Sequence, residues 1–373
     1  MAAGRRALTA SPDRAHARAE LLSAAGWAGA DETAFPGDAS TRRYTRLSRH
    51  GRTALLMDAP GASEAPACPP GASAFERRAL GYNARARLAG NNTAAFAALA
   101  GALTARGLSA PVVYAADHEA GFLVIEDLGD DLYARLIPER AHEGKLYACA
   151  VDALAALYRS SFEAGPEAFG QRWAIQAYDR EALLAETELF LDWYAPERGT
   201  KPDESVRAAF EAAWTKAFAV LDAHAPGLNL RDFHAENLIW LPERQAEAQV
   251  GLLDFQDALF GHPAYDLVSL TEDARRDVSP DLARPLADRF FAAAGLADRD
   301  AFDAACAVLA AQRNAKILGI FVRLARRDSK PRYLQLLPRV ARHFVRDIAH
   351  PALDDIRALV REAAPGVYAE ADQ

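Results

Sequence analysis

Leu230-Arg231-Asp232-Phe233-His234-Ala235-Glu236-Asn237-Leu238-Ile239-Trp240 is followed, after a polar loop, by Val250-Gly251-Leu252-Leu253-Asp254-Phe255-Gln256-Asp257-Ala258. One acid, Asp232, stands five residues before an amide, Asn237. A second acid, Asp254, closes an apolar run at 250–253 that reads as a short buried strand. This set suits phosphoryl transfer. One carboxylate takes the proton of an attacking hydroxyl, while an amide and a second carboxylate hold the magnesium that bridges nucleotide phosphates. Asp232 is therefore the candidate base, and Asn237 and Asp254 are the candidate metal ligands.

Upstream of this block, residues 139–162, 179–194 and 203–224 carry apolar side chains at helical spacing, and Pro226-Gly227 stops the last of them. Further back the pattern changes. Residues 112–114 and 122–125 are apolar and β-rich, and two alternating runs flank His50-Gly51 as a hairpin. Residues 13–26 and 96–107 read as helices. Residues 59–74 are rich in Pro, Ala and Gly without periodicity and predict a loop, with a short helix over 75–88 to which no chemistry is assigned.

Downstream, a helix over 301–325 leads into a basic block. Ten cations lie between Arg313 and Arg346, opposed only by Asp328, in a chain of net charge −8. Arg313, Lys316 and Arg323 fall near one another at helical spacing. Three readings stay open for the group: a solvated face with ion pairs elsewhere, an anion-recognising wall, or a nucleic-acid patch. The overall acidity argues against a general nucleic-acid binder.

At 373 residues the chain is long enough for two lobes and a large core. Cys68, Cys149 and Cys306 are few, odd in number and far apart, which predicts a reducing compartment without disulfides or a zinc site. No uninterrupted apolar stretch reaches membrane-spanning length, and the first eighteen residues lack a secretory apolar core. The expected address is the cytoplasm, with a monomer favoured.

Three motifs place the chain beside a known group. Arg231-Asp232-Phe233-His234 with Asn237, then Asp254-Phe255-Gln256-Asp257, then Pro263, Tyr265 and Asp266 resemble the aminoglycoside phosphotransferase and choline kinase superfamily. Four further segments resemble the bacterial anomeric N-acetylmuramate/N-acetylglucosamine kinases within it. They are the 37–44 segment, Met57-Asp58-Ala59-Pro60, Glu126-Asp127-Leu128-Gly129-Asp130, and the 319–334 block. The likeness spans roughly residues 20–345.

The resemblance implies an α+β, bilobal protein-kinase-like fold: a small N-lobe with an antiparallel sheet and a larger, mostly helical C-lobe. The expected domains are 1–127, with a flexible insertion near 59–92, and 128–373. It implies ATP and Mg2+ as cofactors, an amino sugar as acceptor, and neither nucleic acid nor membrane as partner. The loop at 35–41 would cover the triphosphate, with Ser40 in it. Glu126, Asp127 and Leu128 would form an adenine-binding hinge, the competing reading being an acidic turn that ends a hairpin.

The strand at 53–58 has no lysine, unlike kinases that use one there to pair the α- and β-phosphates. Arg43 is the candidate replacement, against the reading of a solvated strand charge. Glu236, Gln256, Asp257, Arg313, Lys316 and Arg323 are candidate acceptor contacts. His234 is expected to shape the loop by hydrogen bonding, and Asp266 to pin the loop backbone. A kinase for another small alcohol, or a non-catalytic nucleotide-binding protein, are the competing functions.

Overall fold

A computed structural model of the protein describes residues 12–36, 41–61, 66–139 and 142–373. The smaller lobe is a five-stranded antiparallel sheet built from β1 (Asp31–Ala34), β2 (Arg43–Arg49), β3 (Arg52–Asp58), β4 (Val113–Asp117) and β5 (Phe122–Ile125), in the order β1-β2-β3-β5-β4. His50 and Gly51 both take positive φ, 52° and 74°. That is the backbone a two-residue turn needs to match the twist of its flanking strands, so Arg49 comes opposite Arg52.

Alternation along β2 sorts its side chains between two faces. Leu47 joins Ala54, Leu56, Phe122 and Val124 under Leu22 and Trp27, near the helix Pro12–Ala24. On the opposite face Met57, Leu123 and Ile125 join Phe96, Leu99 and Leu103 of the helix Thr93–Thr104 in the main core. Asn92 caps that helix by accepting from the Ala94 and Ala95 N–H groups at 2.9 and 3.2 Å.

The larger lobe is organised around the 28-residue helix Arg299–Arg326. This helix is long and apolar enough to cross a membrane, yet 78% of its most apolar window is buried among its neighbours, as befits a core helix. Its close approach to the π-helical turn Phe190–Tyr194 is made at Gly319, where an added Cβ would lie 2.2 Å from the Leu189 carbonyl oxygen. The helices Glu143–Arg159, Arg180–Leu189, Glu204–Ala217 and Leu337–Asp347 complete the layer.

Two features differ from the sequence expectation. Strand β1 has no counterpart in the sequence reading, since its four residues are all exposed and carry no alternation. The second concerns the segment assigned to the N-lobe as an insertion. Its helices Ala74–Leu80 and Tyr82–Arg85 are held on the larger lobe by arginines. Arg77 reaches Asp179 at 2.7 and 3.0 Å, and Arg85 reaches Glu188 at 2.6 and 2.7 Å and Glu181 at 3.0 Å. Paired guanidinium–carboxylate contacts of this kind fix orientation as well as distance.

Candidate active site

Two short ladders shape the polar centre. Gly227–Asn229 pairs with Leu259–Gly261, and Leu238–Trp240 pairs with Val250–Leu252. Leu238 lies opposite Leu252, and the Leu253 N–H donates to the Asn237 carbonyl at 3.0 Å. Asn237 and Asp254 therefore emerge side by side from one end of the same ladder. The Asn237 amide donates to the Asp232 carbonyl at 2.9 Å, which leaves its Oδ1 as the atom for a cation.

The backbone between these groups is strained where function is expected. Arg231 and Asp254 both take left-handed φ, 73° and 55°. Asp266 over-determines the first of these turns, accepting from the Leu230 N–H at 2.6 Å and the Arg231 N–H at 2.8 Å. This is the pinning role expected of it. Burial pushes its carboxyl up to about 7, against the pull of those two donors.

Asp232 makes no side-chain hydrogen bond among the described residues. Burial alone would raise its carboxyl, but Lys316, His234, Arg313 and Arg231 together hold it below the ordinary aspartate range. It is ionised at neutral pH, as a proton acceptor must be. His234 is buried, and that burial lowers its imidazole below the usual histidine value. Its Nε2 lies 3.5 Å from the Arg275 guanidinium.

Beneath Asp232 lies a carboxylate that sequence reasoning missed. Glu186, fully buried, pairs with Arg231 and with Lys316 (3.0 Å), and accepts from Gln312 (2.8 Å) and Tyr178. Arg231 also donates to the Ala86 carbonyl at 3.0 Å and lies over the Tyr178 ring at 4.9 Å. The missed signal was helical spacing: Ala182, Leu183, Glu186 and Leu189 share one buried face, and an acid on an apolar stripe needs a partner.

Several expected acceptor contacts are already engaged. The Gln256 amide donates to Asp254 at 2.9 Å, and Asp257 accepts from the Ala89 N–H at 2.5 Å. Lys316 is occupied by Glu186 and the Tyr265 hydroxyl (3.2 Å), so it supports the floor of the site. Glu236 is exposed on the loop. Arg323 lies 4.8 Å over the ring of Tyr82, which comes from the segment to which no chemistry was assigned. Arg313 is buried.

On the nucleotide side, Ser40 lies outside the described residues. Arg43 is exposed at the start of β2. Its neighbour Arg42 instead reaches Asp254 Oδ1 at 3.2 Å, and Arg42 is the cation beside the candidate metal carboxylate. The alternation of β2 carries this signal: Leu47 is buried on the far face, which puts 43 and 45 with it and 42, 44 and 46 toward the cleft. Arg46 follows the same rule, pairing with Asp127 (2.7 Å) and Asp130 (2.8 Å). The Glu126 N–H is spent on the Val112 carbonyl. Its side chain binds Arg244 at 2.5 Å. The Leu128 N–H takes no partner among the described residues.

Among the described residues, no three His, Cys, Asp or Glu side chains cluster as a metal cage. The pair Asn237 and Asp254 nevertheless fits Mg2+, which uses one or two protein oxygens and completes its octahedron with phosphate and water. Asp254 is 42% exposed, open enough for such a cation.

Residues 31–305 match the pattern of the phosphotransferase enzyme family. The chain is 46% identical to the N-acetylmuramate/N-acetylglucosamine kinase of Caulobacter vibrioides over 94% of its own length and 97% of that protein's. It is 31% identical to the enzyme of the same name from Pseudomonas putida, covering 90% of this chain and 89% of the other. Among solved structures, a choline/ethanolamine kinase family protein from Mesorhizobium loti superposes with a TM-score of 0.55 at 16% identity, covering 93% and 99% of the two chains. The gentamicin complex of APH(2")-IIa gives 0.53 at 12% identity, covering 93% and 99%. With its two-lobed architecture and a sequence match running through both lobes, the chain belongs to the phosphotransferase enzyme family.

Proposed function

We propose that the protein transfers the γ-phosphoryl group of ATP to the anomeric hydroxyl of N-acetylmuramate or N-acetylglucosamine in the cytoplasm, as a step in cell-wall sugar salvage. What supports this reading is the ladder that brings Asn237 beside Asp254, with the Asn237 amide on the Asp232 carbonyl, in a chain 46% identical to a kinase named for these sugars.

In this reading Asp232 accepts the proton of the sugar hydroxyl as its oxygen bonds to the γ-phosphorus and the bond to the β-phosphate oxygen breaks, releasing ADP. Mg2+ held by Asn237 and Asp254 would neutralise phosphate charge when bound. Arg231, fixed by Asp266 and Glu186, positions the base. The hinge N–H of Leu128 is offered to the adenine. Excluding water from the closed cleft strengthens each of these interactions.

The test is an acceptor panel with ADP release as readout. Both amino sugars are expected to react, while kanamycin, gentamicin and choline do not. Turnover of an aminoglycoside with no turnover of either sugar rules the reading out.

The missing strand lysine gives a second expectation. Arg42, beside Asp254, supplies phosphate neutralisation from the adjacent strand. Arg42→Ala is expected to raise the KM for ATP about tenfold, the scale of one charge-assisted hydrogen bond. Arg43→Ala should change it less than about threefold. Equal effects of the two substitutions would remove Arg42 from this role.

A further inference from the structure

The basic block divides once its partners are known. Arg326 pairs with Glu197 (3.0 Å through Nε), Arg327 with Asp328 (2.7 Å), Arg339 with Asp277 (2.7 Å), Arg346 with Glu272 (2.6 Å), and Lys316 with Glu186 (3.0 Å). Those charges are accounted for within the protein.

Arg313 is not. It is 5% exposed, forms no hydrogen bond or ion pair with any described residue, and its Nη1 is buried without a partner. Arg313 sits one turn before Lys316 on the helix Arg299–Arg326, and Lys316 reaches Glu186 at 3.0 Å and the Tyr265 hydroxyl at 3.2 Å, which sets Arg313 beside the catalytic loop. Its charge also acts on Asp232, Asp266 and His234, yet none of them binds it. A buried guanidinium without an anion is costly, and a chain that keeps one beside its reacting centre keeps it for a ligand. The planar fork of arginine matches a carboxylate through two parallel hydrogen bonds.

The two sugars in the relatives' name differ in this respect. N-acetylmuramate carries a lactyl carboxylate on the same ring as the hydroxyl that would be phosphorylated, and N-acetylglucosamine carries none. We infer that Arg313 is the carboxylate-recognising residue of the acceptor site and makes the protein discriminate in favour of an anionic amino sugar. This inference rests on the amino-sugar kinase reading above. Arg323 also has a buried Nε without a hydrogen-bond partner, but its guanidinium lies over the Tyr82 ring at 4.8 Å, roughly two to three turns further along the helix from Arg313.

The experiment compares kcat/KM for N-acetylmuramate with that for its methyl ester, which keeps the shape and removes the charge. In the wild-type protein the acid is expected to be favoured by about 30-fold, chiefly through KM, as for one charged hydrogen-bonded pair. In Arg313→Gln this ratio should collapse to about 2 or less, with Arg313→Lys in between. A wild-type ratio near 1 overturns the inference without needing any variant to fold. A ratio that survives in Arg313→Gln overturns it too, and assigns Arg313 to the support of Asp232. If the wild-type protein phosphorylates neither acid, ester nor N-acetylglucosamine, the amino-sugar reading itself falls, and the inference with it.

Discussion

Asp232→Ala is expected to lower kcat by about a thousandfold or more, near the upper end of what a positioned general base contributes. The argument is geometric before it is electrostatic. Asp232 carries the one carboxylate on the loop between Gly227–Asn229 and Leu238–Trp240 that is both half-buried and free of a hydrogen bond among the described residues. Lys316, His234, Arg313 and Arg231 override the effect of burial and keep it ionised. Nothing on the loop substitutes for it, since Glu236 is exposed and His234 is buried against Arg275. The affinity for ADP should change less than about threefold, because the Leu128 N–H and Arg42, which are proposed to hold the nucleotide, are untouched. Steady-state ADP release and a nucleotide titration on the same sample make the measurement. Turnover near the wild-type rate would strip Asp232 of its role as base.

The second large effect is on stability. Glu186→Ala is expected to cost about 3–5 kcal/mol, the range for removing one partner of a buried ion pair. Two cations, Arg231 and Lys316, would be left facing each other with no anion, and Gln312 and Tyr178 would lose their acceptor. Urea unfolding followed by far-UV circular dichroism reads this directly. A loss below about 1 kcal/mol would mean that the hub contributes no more than a surface pair. The pH dependence has a defined sign. Burial would raise the Glu186 carboxyl, but Lys316 and Arg231 hold it below the ordinary glutamate value. A depressed acid stabilises the folded state above the unfolded-state value, so this contribution is present at neutral pH. It is lost only as pH falls through the lower folded-state value.

The parts of this molecule that could be read from its sequence are those where local pattern and local structure coincide. The His50-Gly51 hairpin, the helix after Asn92, and the short strand that leads to Asp254 each depend on neighbours within a few residues. Strand β1 depends on β2 for all its pairing and has no pattern of its own. The partners of Glu186 and Tyr82, and the placement of residues 74–89, depend on residues far along the chain, so no window of sequence contains them. Arg42 is the instructive case. The alternation along β2 puts it beside Asp254 and leaves Arg43, the residue chosen from the sequence, exposed on the other face.

The fastening of residues 74–89 has a mechanical consequence. Arg77 on Asp179, Arg85 on Glu188, and the Ala89 N–H on Asp257 tie this stretch to the larger lobe, although it follows strand β3 in the chain. Any swing of the sheet relative to the larger lobe would therefore be taken up outside this stretch and would leave Asp179, Glu188 and Asp257 with their partners. Under the proposed function, docking of the acceptor and gripping of the triphosphate would then be separate movements.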